Sequence, residues 1–441
     1  MTGPPDDRFP AVAGGLRRAA RRFGTPVYVT DVAAIHAAGE ELRSSFPHPW
    51  LRHYSVKAND VVAIVGVAAA AAGAGATVVS RGEWAIARRA GLADADIVLE
   101  GVGKTDADLL AAVRAAADGH PLRWLAVESG DEIARLAALA RRAGLGTDGR
   151  SPIDILLRLN PDVTPETHAG LAVGAGGSKF GMTEGEVAAG LDLAAASGGA
   201  LRPRGLHLHV GSQLGAVDAW RDAVRRALAV LGLLQGNDPD LDTLDLGGGF
   251  PVGPIGEPSP GPERFARELP ALLETIPADR RPSRLAIEPG RFLVARAGWL
   301  VARVLHVRDR GGRQIVIDTG MTELIRPALY GARHEIVALT SLGVDVDPPR
   351  DSAPRARPIE APVANEVATV HGPICESTDA LGDHRLPTLR RGDLVAIRDT
   401  GAYGASIAST YNGRPRPPQI LLAQDGSLSL ARRRGSLSNL G

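Results

Sequence analysis

Hydrophobic and polar positions alternate in a regular way between residues 50 and 295 of the chain. Short β-branched runs end in a polar residue or a glycine, and alanine- and leucine-rich stretches with apolar residues at helical spacing follow them. Several of these stretches, such as DEIARLAALARRAG at 131–144, end in the glycine that is typical of a helix C-terminus. We predict eight strands from the runs HYSVKA, GATVVS, DIVLEG, RWLAV, DILLRLN, GLHLHV, TLDLGGG and RLAIEPG.

Strands that alternate with helices predict a parallel sheet. A doubly wound open sheet and a closed (β/α)8 barrel both accommodate this pattern. Eight regular units within about 245 residues favour the barrel, which is typically about that long. We therefore predict an α/β fold with a TIM-like (β/α)8 barrel over residues 46–295.

The pattern changes after residue 296, where strands follow one another without intervening helices. The segment AGWLVARVLHVRDRGGRQIVIDTG contains two alternating runs joined at Gly311 and Gly312, which indicates a β-hairpin. GDLVAIRDTG and PQILLAQDG have the same alternation. We predict a mostly-β domain over residues 296–441, which the N-terminal segment 1–45 partly joins. Residues 344–362 are rich in proline and charge, which predicts a mobile surface loop.

Composition narrows the class of protein. Lys+Arg and Asp+Glu residues balance at 50 each, so the overall charge favours neither nucleic acid nor an anionic membrane as a partner. The single cysteine rules out an internal disulfide. The N-terminus has neither the basic nor the apolar region of a secretion signal, and glycines break the short alanine-rich stretches. We expect a soluble cytoplasmic protein.

In a barrel of this type, chemistry takes place at the C-terminal ends of the strands. Most residues at those ends are charged, polar or glycine: Lys57, Ser80 with Glu83, Gly101 to Lys104, Glu128, Asn160, His209 with Ser212, Gly247 to Gly249, and Glu288 with Arg291. The last two sets follow strands seven and eight, where such barrels usually bind a phosphate. The C-terminal ends of the strands form the mouth of the barrel, which thus combines a lysine, a carboxylate and a phosphate site. This set fits pyridoxal phosphate, whose aldehyde needs an amine and whose ring nitrogen needs an acid.

Two other kinds of site compete with this interpretation. His207 and His209 alternate onto one face of a strand, a spacing that a metal ion can use, but no third ligand at suitable spacing accompanies them. We therefore predict no metal site. GVGKT imitates the end of a P-loop, but Val98 stands where that motif requires glycine.

Seven segments, in order along the chain, resemble one known family: YSVKAN, HVGSQ, LDLGGGF, EPGR, RPALYGARH, GPICES, and GAYG with YNGRPR. The family is that of the fold-type III pyridoxal-phosphate decarboxylases, and the chain is most similar to its diaminopimelate decarboxylases over roughly residues 25 to 425. The resemblance implies an alanine racemase-like barrel and a C-terminal β domain that completes the active site of the partner subunit in a homodimer. Thr77 departs from the family's pattern, in which an aspartate is common at this position.

The resemblance also implies roles for individual residues. The catalytic pair is Lys57, which binds the aldehyde of pyridoxal phosphate covalently, and Cys375, which returns a proton from the partner subunit. His209 stacks on the cofactor ring in the family, and Glu288 faces the ring nitrogen. The implied cofactor contacts are Lys57, His209, Ser212, Gly248, Gly249, Glu288, Gly290, Arg291 and Tyr403.

The substrate contacts that the resemblance implies are Arg291, Arg326, Tyr330, Glu376 and Tyr403. Two guanidinium groups suit a distal carboxylate, and a glutamate suits a distal ammonium. This set favours decarboxylation of meso-2,6-diaminopimelate to L-lysine in lysine biosynthesis. One alternative is a decarboxylase of another polar or carboxylated α-amino acid in a specialised pathway. A more remote alternative is a non-catalytic regulatory homologue, which would be expected to lose the lysine or the cysteine.

Overall fold

The structure is a computed structural model, and it describes residues 8–439 apart from 148, 165, 169, 171–173, 175–176, 237, 239, 254–258 and 347–364. The chain forms two compact units. The barrel unit comprises His36–Val252 and Ser259–Leu293. The sheet unit comprises Met1–Ile35, Gly253–Pro258 and Val294–Gly441.

The described chain begins with α1 (Phe9–Phe23), β1 (Val27–Asp31) and α2 (Val32–Ser45). The first division between the two units falls inside α2, between Ile35 and His36. Directly after α2 the chain already packs in the barrel unit, where the Phe46 ring lies 5.6 Å from the Phe250 ring. The sequence-based boundary between residues 45 and 46 therefore lies about ten residues beyond the division between Ile35 and His36.

Eight parallel strands close into a barrel in the barrel unit. They are β2 (Leu51–Ser55), β3 (Gly75–Val78), β4 (Ile97–Leu99), β5 (Trp124–Val127), β6 (Ile153–Arg158), β7 (Leu201–His207), β8 (Thr243–Asp245) and β9 (Arg284–Ile287). Each strand pairs with the next, and β2 closes the barrel against β9, with Leu51 opposite Ala286. The eight predicted strands and the predicted barrel are confirmed.

The helices that follow the barrel strands are α3 (Val62–Ala72), α4 (Arg81–Arg89), α5 (Asp106–Ala117), α6 (Gly130–Arg142), α7 (Glu184–Ala195), α8 (Asp218–Leu234), α9 (Pro262–Ala266), α10 (Leu269–Leu273) and α11 (Arg291–Val294). Ser80 and Ser129 accept hydrogen bonds from backbone N–H groups in the first turns of α4 and α6, which satisfies donors that a helix leaves open. The polar ends of β3 and β5 are thus held in short turns. In the described part of the chain, no helix combines the length and the apolar character that crossing a membrane requires.

The sheet unit is built on a nine-stranded sheet within the described residues. Its elements after the barrel are β10 (Gly298–Asp309), β11 (Arg313–Ile317), α12 (Arg326–Tyr330), β12 (Ile336–Ala338), β13 (Thr340–Ser341), β14 (Val344–Asp345), β15 (Glu366–His371), β16 (Ala380–Leu386), β17 (Leu394–Ile397), β18 (Gln419–Leu422) and β19 (Leu428–Arg432). The strand order is β16-β15-β11-β10-β1-β18-β19, and β17 pairs with both β10 and β12. The predicted mostly-β domain is confirmed.

The N-terminal strand β1 lies inside this sheet, antiparallel to β10 and parallel to β18. Leu16 and Ala19 of α1 are buried in one apolar cluster with Val27 and Val29 of β1. The first helix and strand of the chain therefore belong to the core of the sheet unit.

Two hairpins test the sequence-based predictions in this unit. The hairpin at Gly311 and Gly312 is confirmed, because β10 and β11 are antiparallel and both glycines have positive φ, 64° and 131°. The loop predicted over 344–362 is wrong at its start, where β14 pairs with β13. Leu342 and Gly343 join these strands with φ of 52° and 85°, the conformation of a two-residue hairpin turn. From residue 347 onward that segment lies outside the described residues.

Gly205 is a position at which the barrel tolerates no side chain. It lies in β7 with φ of 149°, and a Cβ there would be 1.8 Å from the Thr243 carbonyl oxygen in β8. Gly205→Ala should lower the free energy of unfolding by about 3 kcal/mol or more, since the strands must separate to admit the methyl group. Thermal unfolding followed by circular dichroism measures the change.

The matched control is Gly232→Ala in α8, where a Cβ has nothing within 4 Å. This substitution should leave the melting temperature unchanged or raise it, because alanine favours a helix by about 1 kcal/mol over glycine. Equal melting temperatures for Gly205→Ala and the wild type would contradict the account of the β7–β8 contact.

Candidate active site

Lys57 lies in a single 3₁₀ turn, Val56–Ala58, that follows β2. The Tyr54 hydroxyl donates to the Asn59 carbonyl oxygen at 3.0 Å and closes this turn. The Lys57 side chain is 37% exposed. The fold thus holds the backbone of the turn rigidly while the amine stays accessible to a small molecule.

The amine of Lys57 forms an ion pair with Glu100, which directly follows β4. Lys57 Nζ lies 3.1 Å from Glu100 Oε1, and the carboxylate is 4% exposed. Burial on its own raises the pKa of Glu100, but the charges of Lys57, His207 and Arg158 outweigh burial and hold the pKa well below its usual range. Glu100 is therefore a fixed negative charge beside the lysine.

His207 at the end of β7 connects Glu100 to Glu288, which follows β9. Its Nε2 atom lies 3.4 Å from Glu100 Oε2 and 3.5 Å from Glu288 Oε2. Burial lowers the pKa of His207, but the Glu288 carboxylate and then Glu100 raise it above its usual value. The two carboxylates thus favour the protonated form of the imidazole, whose positive charge offsets the cost of burying them.

Glu100, His207 and Glu288 also form a compact cluster of possible metal ligands. Ligand atoms of Glu100, His207 and Glu288 lie within 4.8 Å of one another, a grouping that could hold a metal ion. The sequence shows no third ligand at suitable spacing beside His207 and His209, and Glu100 and Glu288 reach His207 only through the fold. The carboxylates come from strands far apart in the sequence, so no spacing rule could reveal them.

Thr77 at the end of β3 orients Glu288. Its hydroxyl donates to Glu288 Oε1 at 2.9 Å, so the two carboxylate oxygens contact Thr77 and His207 respectively. Burial, followed by the charge of Glu100, raises the pKa of Glu288. A nearby cationic N–H group stabilises the ionised form of such a buried carboxylate. The protonated ring nitrogen of pyridoxal phosphate is a group of this kind.

His209 lies two residues beyond the end of β7 and has the opposite character from His207. The Gly248 N–H donates to His209 Nδ1 at 3.2 Å, so that nitrogen accepts and the neutral ring carries its proton on Nε2. Burial and then the charges of Lys57 and Arg158 lower the pKa of His209 well below its usual value. The result is a neutral aromatic ring beside the lysine.

The glycines after β8 form a backbone surface without side chains. A Cβ on Gly247, Gly248 or Gly249 would lie 2.4, 2.4 and 2.6 Å from the carbonyl oxygens of Leu208, Glu288 and Gly211. Gly247 and Gly249 also have positive φ, 64° and 107°. Only glycine satisfies both conditions, and exposed backbone amides in such a turn suit an anion.

Arg291 begins α11 next to these glycines in the barrel unit. Its Nη2 and Nε atoms donate to the Ser212 hydroxyl oxygen at 2.9 and 3.3 Å. The preceding Gly290 is close-packed, since a Cβ there would lie 3.0 Å from the Ser55 Cβ next to the lysine turn. The EPGR turn is thus packed against the YSVKAN turn. The hydrogen bonds hold the Arg291 guanidinium and the Ser212 hydroxyl next to each other.

The other predicted residues lie in the sheet unit, and the first of them are on α12. Arg326 is the first residue of α12 and Tyr330 the last. Arg326 Nη1 lies 2.9 Å from His334 Nε2, and both side chains are buried. Tyr330 is half-buried.

Cys375 is exposed in the turn between β15 and β16. The buried Asp379 carboxylate holds this turn, because it accepts from the N–H groups of Ile374 at 2.7 Å and Met321 at 2.6 Å. The backbone beside the cysteine is therefore fixed while the thiol faces outward.

Glu376 is the neighbour of that cysteine and is exposed. Its carboxylate accepts from the Tyr411 hydroxyl at 2.8 Å. Tyr403 has a φ of 54°, a strained conformation for a residue with a side chain. Strain of this kind is often found at functional positions.

Several residues of the mouth escaped the sequence analysis. Glu100 is the penultimate residue of the run DIVLEG, and the residues predicted from this strand end were Gly101 to Lys104. His207 was considered only as a metal ligand, and Thr77 only as a departure from a pattern. All three residues lie at or next to a strand end, which is the signal that the sequence offers. Only the closed barrel shows which strand ends lie close together.

The residues of the barrel unit fit pyridoxal phosphate. Lys57 supplies an accessible amine, Glu288 a buried and oriented carboxylate, and His209 a neutral aromatic ring. The glycine turn with Arg291 and Ser212 supplies amides, a guanidinium and a hydroxyl for a phosphate. No other group in the barrel mouth is needed to satisfy the aldehyde, the ring nitrogen and the phosphate.

Comparison with known proteins agrees with this chemistry. The family described as "Pyridoxal-dependent decarboxylase, pyridoxal binding domain" matches residues 32–295. A diaminopimelate decarboxylase of Aquifex aeolicus is 35% identical over 426 residues, which cover 95% of this chain and 91% of that protein.

Solved structures show the same similarity. The crystal structure of diaminopimelate decarboxylase from Helicobacter pylori complexed with L-lysine is 29% identical, has a TM-score of 0.83, and is matched over 96% of this chain and 98% of that one. A lysine/ornithine decarboxylase of Vibrio vulnificus, complexed with putrescine, shares the fold with a TM-score of 0.73 at 22% identity over 93% and 98% of the two chains. The chain belongs to the pyridoxal-dependent decarboxylase family, with the diaminopimelate decarboxylases among its relatives.

Proposed function

We propose that this enzyme decarboxylates meso-2,6-diaminopimelate to L-lysine and carbon dioxide with pyridoxal phosphate bound at the barrel mouth. One observation carries the proposal. The Lys57 amine, which is ion-paired with Glu100, lies at the same barrel mouth as the buried Glu288 carboxylate. The names of full-length relatives at 35% identity support diaminopimelate as the substrate. A cytoplasmic, biosynthetic enzyme is part of the same proposal.

When bound, pyridoxal phosphate supplies an electron sink for the electrons of the bond between the α-carbon and its carboxylate. Lys57 binds the aldehyde, and Glu288 accepts a hydrogen bond from the protonated ring nitrogen and so keeps the proton there. Neutral His209 is the aromatic partner of the ring. Arg291, Ser212 and the amides of the glycine turn bind the phosphate, with Tyr403 as a further contact.

The substrate carries a second amino-acid centre far from the bond that breaks. In the proposal, Arg326 and Tyr330 bind the distal carboxylate together with Arg291, and Glu376 binds the distal ammonium. Planar guanidinium groups match a carboxylate geometrically, and a single carboxylate matches an ammonium. Tyr403 contributes to the same pocket.

Cys375 returns the proton to the α-carbon from a second subunit. The thiol and Glu376 are exposed in the single chain, whereas proton return to a reactive carbon requires a site from which water is excluded. Apolar side chains in the same unit, Leu329 at the end of α12 and Ile407, are exposed as well. In a homodimer, the sheet unit of each subunit would cover the barrel site of its partner and exclude water from it.

The assignment of Lys57 can be tested by chemical labelling. The sequence contains three lysines, Lys57, Lys104 and Lys179. Borohydride reduction of the cofactor-saturated protein followed by peptide mapping should place the pyridoxyl label on Lys57. Lys57→Ala should abolish the label, and Lys179→Arg should retain it. A label on Lys104 or Lys179 in the folded wild type would refute the assignment.

The assignment of Cys375 predicts a slow but folded variant. Cys375→Ala should lower kcat for carbon dioxide release by about 100-fold or more with little change in KM, because it removes only the proton donor. Ser377→Ala in the same exposed turn is the control and should retain the wild-type rate. Turnover of Cys375→Ala at the wild-type rate would exclude the thiol as the donor.

Mixing inactive subunits tests whether the site is shared. Lys57→Ala and Cys375→Ala proteins, unfolded together and refolded, should recover about a quarter of wild-type activity, since half of the dimers then contain one native site. Failure of the mixture to recover activity, with dimers present, would place both residues of a site in one subunit.

Substrate recognition is tested by Arg326→Ala. The KM for meso-diaminopimelate should rise by about 10- to 100-fold, which is the effect of losing a charge-assisted hydrogen bond. Arg333→Ala, an exposed arginine in the same segment, should leave KM unchanged. If Arg326→Ala left both KM and kcat unaltered, diaminopimelate would not be the substrate that this residue recognises.

A further inference from the structure

The guanidinium of Arg326 is held by a histidine in the sheet unit. Arg326 Nη1 lies 2.9 Å from His334 Nε2, and His334 Nδ1 lies 2.8 Å from the Arg398 carbonyl oxygen. Arg326 and His334 are 9% and 4% exposed, so water competes little for these contacts. The imidazole therefore bridges the guanidinium and the backbone of a neighbouring strand.

The donors in this bridge fix the state of the ring. A guanidinium can only donate, so His334 Nε2 accepts, and the proton of the ring is on Nδ1, where it donates to the Arg398 carbonyl. The ring is thus neutral in this arrangement. A neutral acceptor orients Arg326 without cancelling its positive charge, which a carboxylate in the same place would do.

The sheet fixes the far end of the bridge. Arg398 follows β17, which is antiparallel to β12, with Ile397 opposite Ile336. The Arg398 N–H donates to the Glu335 carbonyl oxygen at 2.9 Å and extends that register. The carbonyl that accepts from His334 therefore belongs to the rigid sheet.

A glycine turn returns the chain from Arg326 to His334. Gly331 ends α12 in the left-handed conformation, with φ of 60°, and its N–H donates to the Pro327 carbonyl oxygen at 3.0 Å. This cap reverses the chain within a few residues. The spacing of eight residues in RPALYGARH is thus what lets the two side chains meet.

We propose that His334 is a positioning residue that fixes Arg326 for recognition of the distal carboxylate and so sets the enzyme's specificity for substrates that carry one. This inference rests on the proposed function, because it requires Arg326 to bind that carboxylate. Without His334 the guanidinium keeps its charge but loses the acceptor that orients its Nη1 group. Affinity for a distal carboxylate then falls, while affinity for ligands that lack it stays the same.

Two simple ligands separate these effects. L-Lysine retains the distal carboxylate after decarboxylation, and cadaverine has the same carbon chain and both amines without any carboxylate. Competitive inhibition constants for the two ligands, measured on the cofactor-loaded enzyme, therefore report recognition of the carboxylate. Turnover of meso-diaminopimelate, measured separately as KM and kcat, reports its effect on the reaction.

His334→Leu should raise the inhibition constant of L-lysine and the KM for meso-diaminopimelate by about tenfold or more, with kcat changed less than about threefold. The inhibition constant of cadaverine should stay within about twofold of the wild type. His334→Gln, whose amide oxygen can still accept from Arg326, should raise the L-lysine constant less than His334→Leu does. If His334→Leu does not fold, the glutamine variant alone decides between the outcomes.

The control is His384→Gln, which changes another histidine of the sheet unit whose ring contacts the Leu381 carbonyl at 3.0 Å. It should leave both inhibition constants unchanged. If the His334 variants weaken the binding of L-lysine and of cadaverine equally, or weaken the binding of neither ligand, the inference is overturned. A wild-type enzyme that releases no carbon dioxide from meso-diaminopimelate fails the proposed function itself, whatever the His334 variants do.

Discussion

The active site depends on the compensation of buried charges at the mouth of the barrel. Lys57, Glu100, His207 and Glu288 come from the ends of β2, β4, β7 and β9, and each contacts the next within 3.5 Å. Removing a charged group from water costs several kcal/mol, and pairing with an opposite charge offsets that cost only when the geometry is fixed. The closed barrel provides that geometry, so the charge network depends on the fold.

The network also gives similar side chains different chemical states. His207 ends β7 and His209 follows it by two residues, yet carboxylates favour the charged form of the first, and burial with Lys57 and Arg158 favours the neutral form of the second. The same contrast separates Glu100 from Glu288, whose pKa values shift in opposite directions. A cofactor with a cationic ring nitrogen would therefore meet a Glu288 carboxylate whose charge it can pair with and a neutral His209 ring.

In the sheet unit, contacts with backbone groups hold the buried Arg326 and His334 side chains and the turn that carries the exposed Cys375. Asp379 fixes the turn beside Cys375, and the Arg398 carbonyl fixes His334 and, through it, Arg326. In both cases the contact is made with a neutral backbone group, an N–H group for Asp379 and a carbonyl oxygen for His334. The charged or nucleophilic end of each side chain is thereby oriented without being neutralised.

The sequence by itself determined the architecture and most of the chemical groups. The eight barrel strands and the hairpin at Gly311 follow from local periodicity, and Lys57 and Glu288 follow from their places at strand ends. The position of β1 inside the sheet, the β14 strand and the contacts of Glu100, Thr77 and His334 did not follow. Each of those depends on which backbone segments lie side by side, across gaps that range from three residues between β13 and β14 to more than two hundred between Thr77 and Glu288. Only the tertiary structure decides that, because hydrogen bonds and ion pairs act over a few ångströms of space and leave no period in the chain.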